Sequence, residues 1–172
     1  MSTSPANPKV ETIRGDAQHC YDALNQLIDG PLAQLQPEQL YHSPDGTEWT
    51  IMENLAHIVE FMPYWAKEIA ELVATPGKKF GRTQQDEGRL SAIREHARDT
   101  LAQVKAALPA GYARLDEVLG SLRDSDLEIT GQHVRFGEKS LDWFIEDFVT
   151  GHLRAHLEQM KTAIAAAITE KQ

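Results

Sequence analysis

A single cysteine, Cys20, stands in a chain of 172 residues, so no internal disulfide forms and stability must come from burial, for which the length suffices. Long apolar runs are also missing: none approaches the ~20 residues that a membrane helix needs. The opening stretch, Met1 to Lys9, is polar, carries two prolines and has no apolar centre, which predicts a tail and not a signal peptide. Positive charge is scarce. Lys and Arg total 17 against 26 Asp and Glu, a net charge of −9, which argues against nucleic-acid phosphates or an anionic membrane surface as partners. Runs of alternating strand character are absent as well. These absences lead us to expect one soluble, cytoplasmic domain over residues 1–172, with 1–9 as a disordered tail.

What remains is helical periodicity. Ile13, Ala17, Cys20, Leu24 and Leu27 recur at intervals of three and four, one apolar stripe on one helix. Asp29-Gly30-Pro31 ends it, because proline cannot continue the ladder. A second helix starts at Thr50, whose hydroxyl caps the free amides while Glu53 reaches back. Its stripe is Ile51, Leu55, Ile58, Met62, Trp65, Ile69 and Leu72, with a kink expected at Pro63. Residues 85–97 read as a short polar helical segment. Thr100 and Gln103 repeat the capping arrangement, and the stripe from Leu101 through Leu108, Tyr112 and Leu115 to Leu122 keeps its phase across Pro109, which predicts one helix. The last helix is expected from Ser140 to about Ile168. The fold class is therefore all-α, a four-helix bundle with a short extra helical segment between the second and third long helices.

Seven histidines are present, and their placement separates them. His152 and His156 are one turn apart and fall at the centre of the last helix's apolar stripe, between Phe148 and Ala163. A core imidazole is costly unless its nitrogens are satisfied. A shared divalent metal satisfies both rings, although backbone carbonyls, Gln159 or water would also serve. His57 lies at the margin of the second helix's stripe beside Asn54 and Phe61, a position suited to a site at the edge of the bundle and equally to a surface histidine packed on Phe61. His19, His42, His96 and His133 read as structural or solvent-exposed.

Trp49-Thr50-Ile51-Met52-Glu53-Asn54-Leu55-Ala56-His57-Ile58 resembles the Trp-Ser/Thr, Glu, Leu, His signature of the DinB/YfiT-like family. Asp124-Ser125-Asp126-Leu127 resembles its acidic turn, and the stretch from Gly131 to Gly137 before Ser140-Leu141 its glycine-bounded lead into the last helix. His152-Leu153-Arg154-Ala155-His156 is similar to its closing double-histidine motif, with Gln159 three residues on. The similarity runs from about Ile13 to Ile168.

The resemblance implies a four-helix bundle with three histidines on a divalent metal, nickel or zinc, and assigns the ligands to His57, His152 and His156. It also implies a homodimer, for which Phe61 and Trp65 beside the main stripe were expected to leave apolar surface. Three imidazoles leave a coordination position open for water or substrate, and the lack of a carboxylate among them argues against iron oxygenase chemistry. The activities implied are hydrolysis of a small molecule, or isomerisation or transfer with a low-molecular-weight thiol as cosubstrate. The competing expectation is a catalytically silent metal-binding protein of stress response or ligand binding. Glu53, Glu60 and Tyr64 are the candidate acid-base helpers; capping already explains Glu53, and a solvated helix face is the default for Glu60.

Overall fold

The computed structural model describes residues 6–43 and 45–169. Residues 1–5, half of the expected tail, lie outside the described residues. Pro8 and Lys9 do not belong to a tail: they open α1 (Pro8–Asp29), since proline's fixed φ and missing N–H suit the first helical turn. A turn of 3-10 helix at Leu32–Gln34 and the short α2 (Pro37–Leu40) follow. Next come α3 (Ile51–Ala74), α4 (Glu87–His96) and α5 (Leu101–Ser121). A second 3-10 turn at Asp124–Glu128 leads to β1 (Thr130–His133) and β2 (Gly137–Ser140). The chain closes with α6 (Leu141–Ile145), a π-helical turn at Glu146–Thr150, and α7 (Gly151–Thr169).

The bundle consists of α1, α3, α5 and the continuous rod formed by α6, the π turn and α7. Around the bundle α1 packs on α5, α5 on α3, α3 on α7 and α7 back on α1, while α4 lies against α3. Both predicted capping boxes form: the Glu53 amide donates to Thr50 Oγ1 at 3.0 Å and the Thr50 amide to Glu53 Oε2 at 2.8 Å, with the same exchange between Thr100 and Gln103. Such a cap stabilises a helix start by about 1 kcal/mol. Helix α5 runs unbroken through Pro109, as the preserved phase of its stripe predicts, and α3 likewise continues through Pro63, where a kink was the expectation.

Four features depart from the sequence reading. The glycine-bounded lead is a β-hairpin with Thr130 opposite Ser140 and His133 opposite Gly137. Its strands are too short and polar to show a period of two, and Gly137 at φ 68 supplies the left-handed residue of the turn. The segment after α3 runs parallel to β1, with a bridge between Lys79 and Gln132. There the Gly77 amide donates to Thr130 O, the Gln132 amide to Lys78 O and the Phe80 amide to Gln132 O, at 2.8, 3.0 and 2.9 Å.

The last helix holds a π turn where an unbroken α-helix was expected. Gly151 explains it: a Cβ there would overlap the Glu146 carbonyl oxygen, so only glycine fits this wound-out turn. His57 is not marginal, because α3 is covered on several sides and His57 is 3 % exposed. Phe61 and Trp65, expected to leave surface for a partner, are buried within the single chain, since α3 packs against the rod and its π turn as well as α5. No helix among the described residues is long and apolar enough to cross a membrane.

Candidate metal centre

The three histidines meet where α3 passes α7. His57 Nε2 lies 2.9 Å from His152 Nε2, and His156 Nε2 lies 3.1 Å from the same atom. All three offer one ring nitrogen to a common point, within 4.8 Å of one another. Among the described residues this is the group of His, Cys, Asp or Glu side chains whose spacing suits a metal. For ligands at about 2.0–2.1 Å from an ion, neighbouring nitrogens stand roughly 3 Å apart, so the spacing fits.

The tautomers fit as well. His156 Nδ1 is 2.8 Å from Asn54 Oδ1, and the Asn54 amide group donates to the Thr50 carbonyl at 3.0 Å. The oxygen of Asn54 therefore faces the ring, Nδ1 carries the proton, and the Nε2 lone pair points into the cluster. Nδ1 of His57 faces Glu60 Oε2 at 3.6 Å, too long for a hydrogen bond but of the sign that keeps the proton on Nδ1. With two protons turned outward, no more than one remains for two short N···N contacts. Two lone pairs converge, joined by a third when His152 carries its proton on Nδ1, and such a set suits a cation.

Electrostatics point the same way. Burial pushes the pKa of His152 down to about 4 and that of His156 down to about 3, and it lowers His57 too. The rings stay neutral, as metal ligands must be. Arg89 adds to the depression of all three.

Around the cluster the packing is aromatic. Trp49 stacks on His156 at 6.0 Å and meets His57 edge-on at 5.2 Å, and Phe61 touches His57 and His152 at 5.2 and 5.1 Å between ring centroids. On the remaining side, His57 and His152 border a cavity of about 350 Å³. The rest of the lining comes largely from the segment after α3, from α4 and from the hairpin, with Arg82, Arg89, His133 and Arg135 among its residues.

The sequence-derived helpers are placed differently from one another. Glu53 is occupied by its cap. Glu60 is no solvated residue: it is half-buried and accepts from Arg82 at 2.5 and 2.6 Å. Tyr64 lies under the Arg82 guanidinium, 3.7 Å from the ring centroid, and burial raises its phenol far above the ordinary range, so it stays protonated at neutral pH and is no general base. His19 and His42 are exposed, and His96 pairs with Asp99 at 2.8 Å.

Three contributors escaped the sequence reading. Asn54 gave a signal, since a polar residue one turn before His57 stands in a run of otherwise apolar burial. His133 gave little, because the hairpin was not foreseen; it is 5 % exposed and borders the cavity. Its Nδ1 accepts the amides of Arg135 and Phe136 at 3.1 and 3.3 Å, which fixes the hairpin turn. Arg89 gave none in a segment that reads as polar surface.

A four-helix bundle whose helices bring three histidines to one point beside a cavity belongs to the class of helical proteins built around a candidate metal site. More narrowly, the chain belongs to the DinB superfamily, whose profile matches residues 20–160. It is 28 % identical over 140 residues to YuaE of Bacillus subtilis (strain 168), covering 76 % of this chain and 86 % of that protein. The fold is that of YfiT from Bacillus subtilis, at a TM-score of 0.72 and 14 % identity over 96 % of this chain and 93 % of that one. YfiT is described as a probable metal-dependent hydrolase with an unusual four-helix bundle topology.

Proposed function

We propose that His57, His152 and His156 together hold one divalent ion, zinc or nickel, and that the protein is a metal-dependent hydrolase of a small molecule. The observation that carries this reading is the convergence of three neutral Nε2 atoms within 2.9 and 3.1 Å of their neighbours, on the edge of a cavity of substrate size. A divalent ion held by three imidazoles supplies Lewis acidity, toward a carbonyl group or a water molecule, at its open position.

The surrounding residues do the rest. Asn54 holds the His156 ring in its ligating tautomer, and the carboxylate of Glu60, fixed by Arg82 and 3.6 Å from His57 Nδ1, favours the same tautomer there through its charge alone. Trp49 and Phe61 cover the cluster on the bundle side. His57 and His152 therefore leave the cavity as the path of approach for a substrate. The description of YfiT, whose fold this chain shares, supports hydrolysis.

Elemental analysis of protein expressed with supplemented metals, then a panel of simple esters and amides with and without low-molecular-weight thiols, tests the reading. One equivalent of metal and turnover of an ester or amide without thiol is the expected result. Turnover only with a thiol would replace hydrolysis by thiol transfer. Bound metal with silence across the panel would favour the non-catalytic alternative, and no metal would end the proposal.

A further inference from the structure

Although the chain carries a net charge of −9, the cavity that His57 and His152 border is lined by cations. Arg82, Arg89 and Arg135 border the cavity against a single carboxylate, Asp147. Their situations differ. Arg82 is neutralised by Glu60 at 2.5 Å and lies 3.6 Å from Asp86. Arg89 is half-buried, and among the described residues no carboxylate pairs with it: its Nη1 donates to the Gln84 carbonyl at 2.9 Å, and its guanidinium lies 5.1 Å from the ring centre of Trp49. Arg135 is exposed, its guanidinium 5.3 Å from the Phe136 ring, and it too lacks a carboxylate partner among the described residues.

We propose that the cavity takes a small molecule bearing an anionic group, carboxylate or phosphate, and that Arg89 is its anchor with Arg135 closing over it from the hairpin. This rests on the preceding reading insofar as the same cavity serves the histidine cluster. A half-buried guanidinium with no carboxylate in salt-bridge contact is costly. Burial and Arg82 hold Arg89 below its ordinary basicity, and the carboxylates of Glu60 and Asp86, both engaged with Arg82, offset only part of that. A cluster of three neutral ligands cancels none of a divalent ion's charge, so the loaded site adds to that positive field. An anion in the cavity relieves all of these terms together. The guanidinium fork suits carboxylate and phosphate oxygens alike. Trp49 faces the group at cation–π distance, 5.1 Å. On the hairpin, His133 holds the backbone amide of Arg135, so the second cation sits at the cavity by construction.

The test uses the full chain, metal-free and metal-loaded, with succinate, inorganic phosphate and the neutral succinamide as probes. Binding is followed by calorimetry and by tryptophan fluorescence, since an anion at Arg89 lies against Trp49. Succinate or phosphate should bind the metal-free protein and succinamide should not; which anion binds more tightly identifies the group. Arg89→Gln should weaken anion binding about tenfold or more, the usual scale for losing a charge-assisted pair, while still binding one equivalent of metal. Arg89→Lys, which keeps the charge without the fork, should recover part of it. On a hydrolysable ester the loss should fall on KM for carboxylate-bearing substrates and leave neutral ones unchanged. Equal binding of anions by the parent and by Arg89→Gln, both shown folded by circular dichroism, overturns the proposal and leaves the metal reading standing. Anion binding without metal binding does the reverse.

Discussion

Asn54 offers a sharp test of how the histidine cluster is held. It is 3 % exposed and links two elements: its oxygen accepts from His156 Nδ1 at 2.8 Å and its amide group donates to the Thr50 carbonyl at 3.0 Å. Asn54→Ala removes both bonds and deprives the buried His156 N–H of its acceptor, with Gln159 the remaining polar side chain beside the ring. An unsatisfied buried donor costs about 1–3 kcal/mol. Freed of its acceptor, the ring no longer prefers the tautomer whose Nε2 lone pair faces its neighbours, and losing such an orienting partner lowers metal affinity by about 10- to 100-fold. Asn54→Asp should instead retain the acceptor and bind metal at least as tightly as the parent. Denaturant titration of the metal-free protein measures the first quantity and competition with a chromophoric chelator the second. Stability within about 0.5 kcal/mol of the parent, the ordinary range for a surface substitution, together with unchanged metal affinity, would refute the argument that Asn54 fixes the ring.

Replacing His57, His152 or His156 singly by Ala should abolish tight metal binding, because two imidazoles make a poor site, whereas His19→Ala should retain it; metal content after dialysis decides. The metal-free protein should lose stability below about pH 6.5: unfolded histidines protonate there, while His152 and His156 stay neutral in the fold down to about 4 and about 3. The stabilisation is complete above pH 6.5 and falls by roughly 1.4 kcal/mol per pH unit for each ring as the pH drops toward those values, and a stability profile flat between pH 7 and 5 would contradict it. Gly151→Ala should cost at least about 1–3 kcal/mol, the scale of overpacking, and should weaken metal binding by displacing the adjacent His152; thermal melts and chelator competition report the two effects.

Much of the bundle is visible in the sequence because its information is local. Intervals of three and four set the buried faces of α1, α3, α5 and the last rod, and two capping boxes mark where α3 and α5 start. The His152–His156 pair is visible for the same reason: both rings fall on a stripe that the other residues define. What escaped depends on neighbours distant in the chain. His57 looks marginal on its own helix and is buried because α7 and the aromatic rings around it cover it. Glu60 reads as solvated until Arg82, 22 positions later, is seen to pair with it. The hairpin is held by hydrogen bonds to the segment after α3, and no periodicity within four-residue strands announces that. The π turn does leave a trace, a glycine directly before a histidine inside a helix, whose meaning lies in a carbonyl five residues back.

The bridge between Lys79 and Gln132 separates two kinds of work. The histidines stand on the long helices of the bundle, whereas much of the remaining cavity lining is a patch formed by the segment after α3, the first turn of α4 and the hairpin. Backbone bonds hold that patch together, so its register does not depend on the identity of most of its side chains. Arg135, exposed on the hairpin turn, is thus exchangeable for a neutral, acidic or bulkier residue without shifting a helix of the bundle. Evolution within such a framework can redraw what the cavity admits one position at a time while the three imidazoles stay in place.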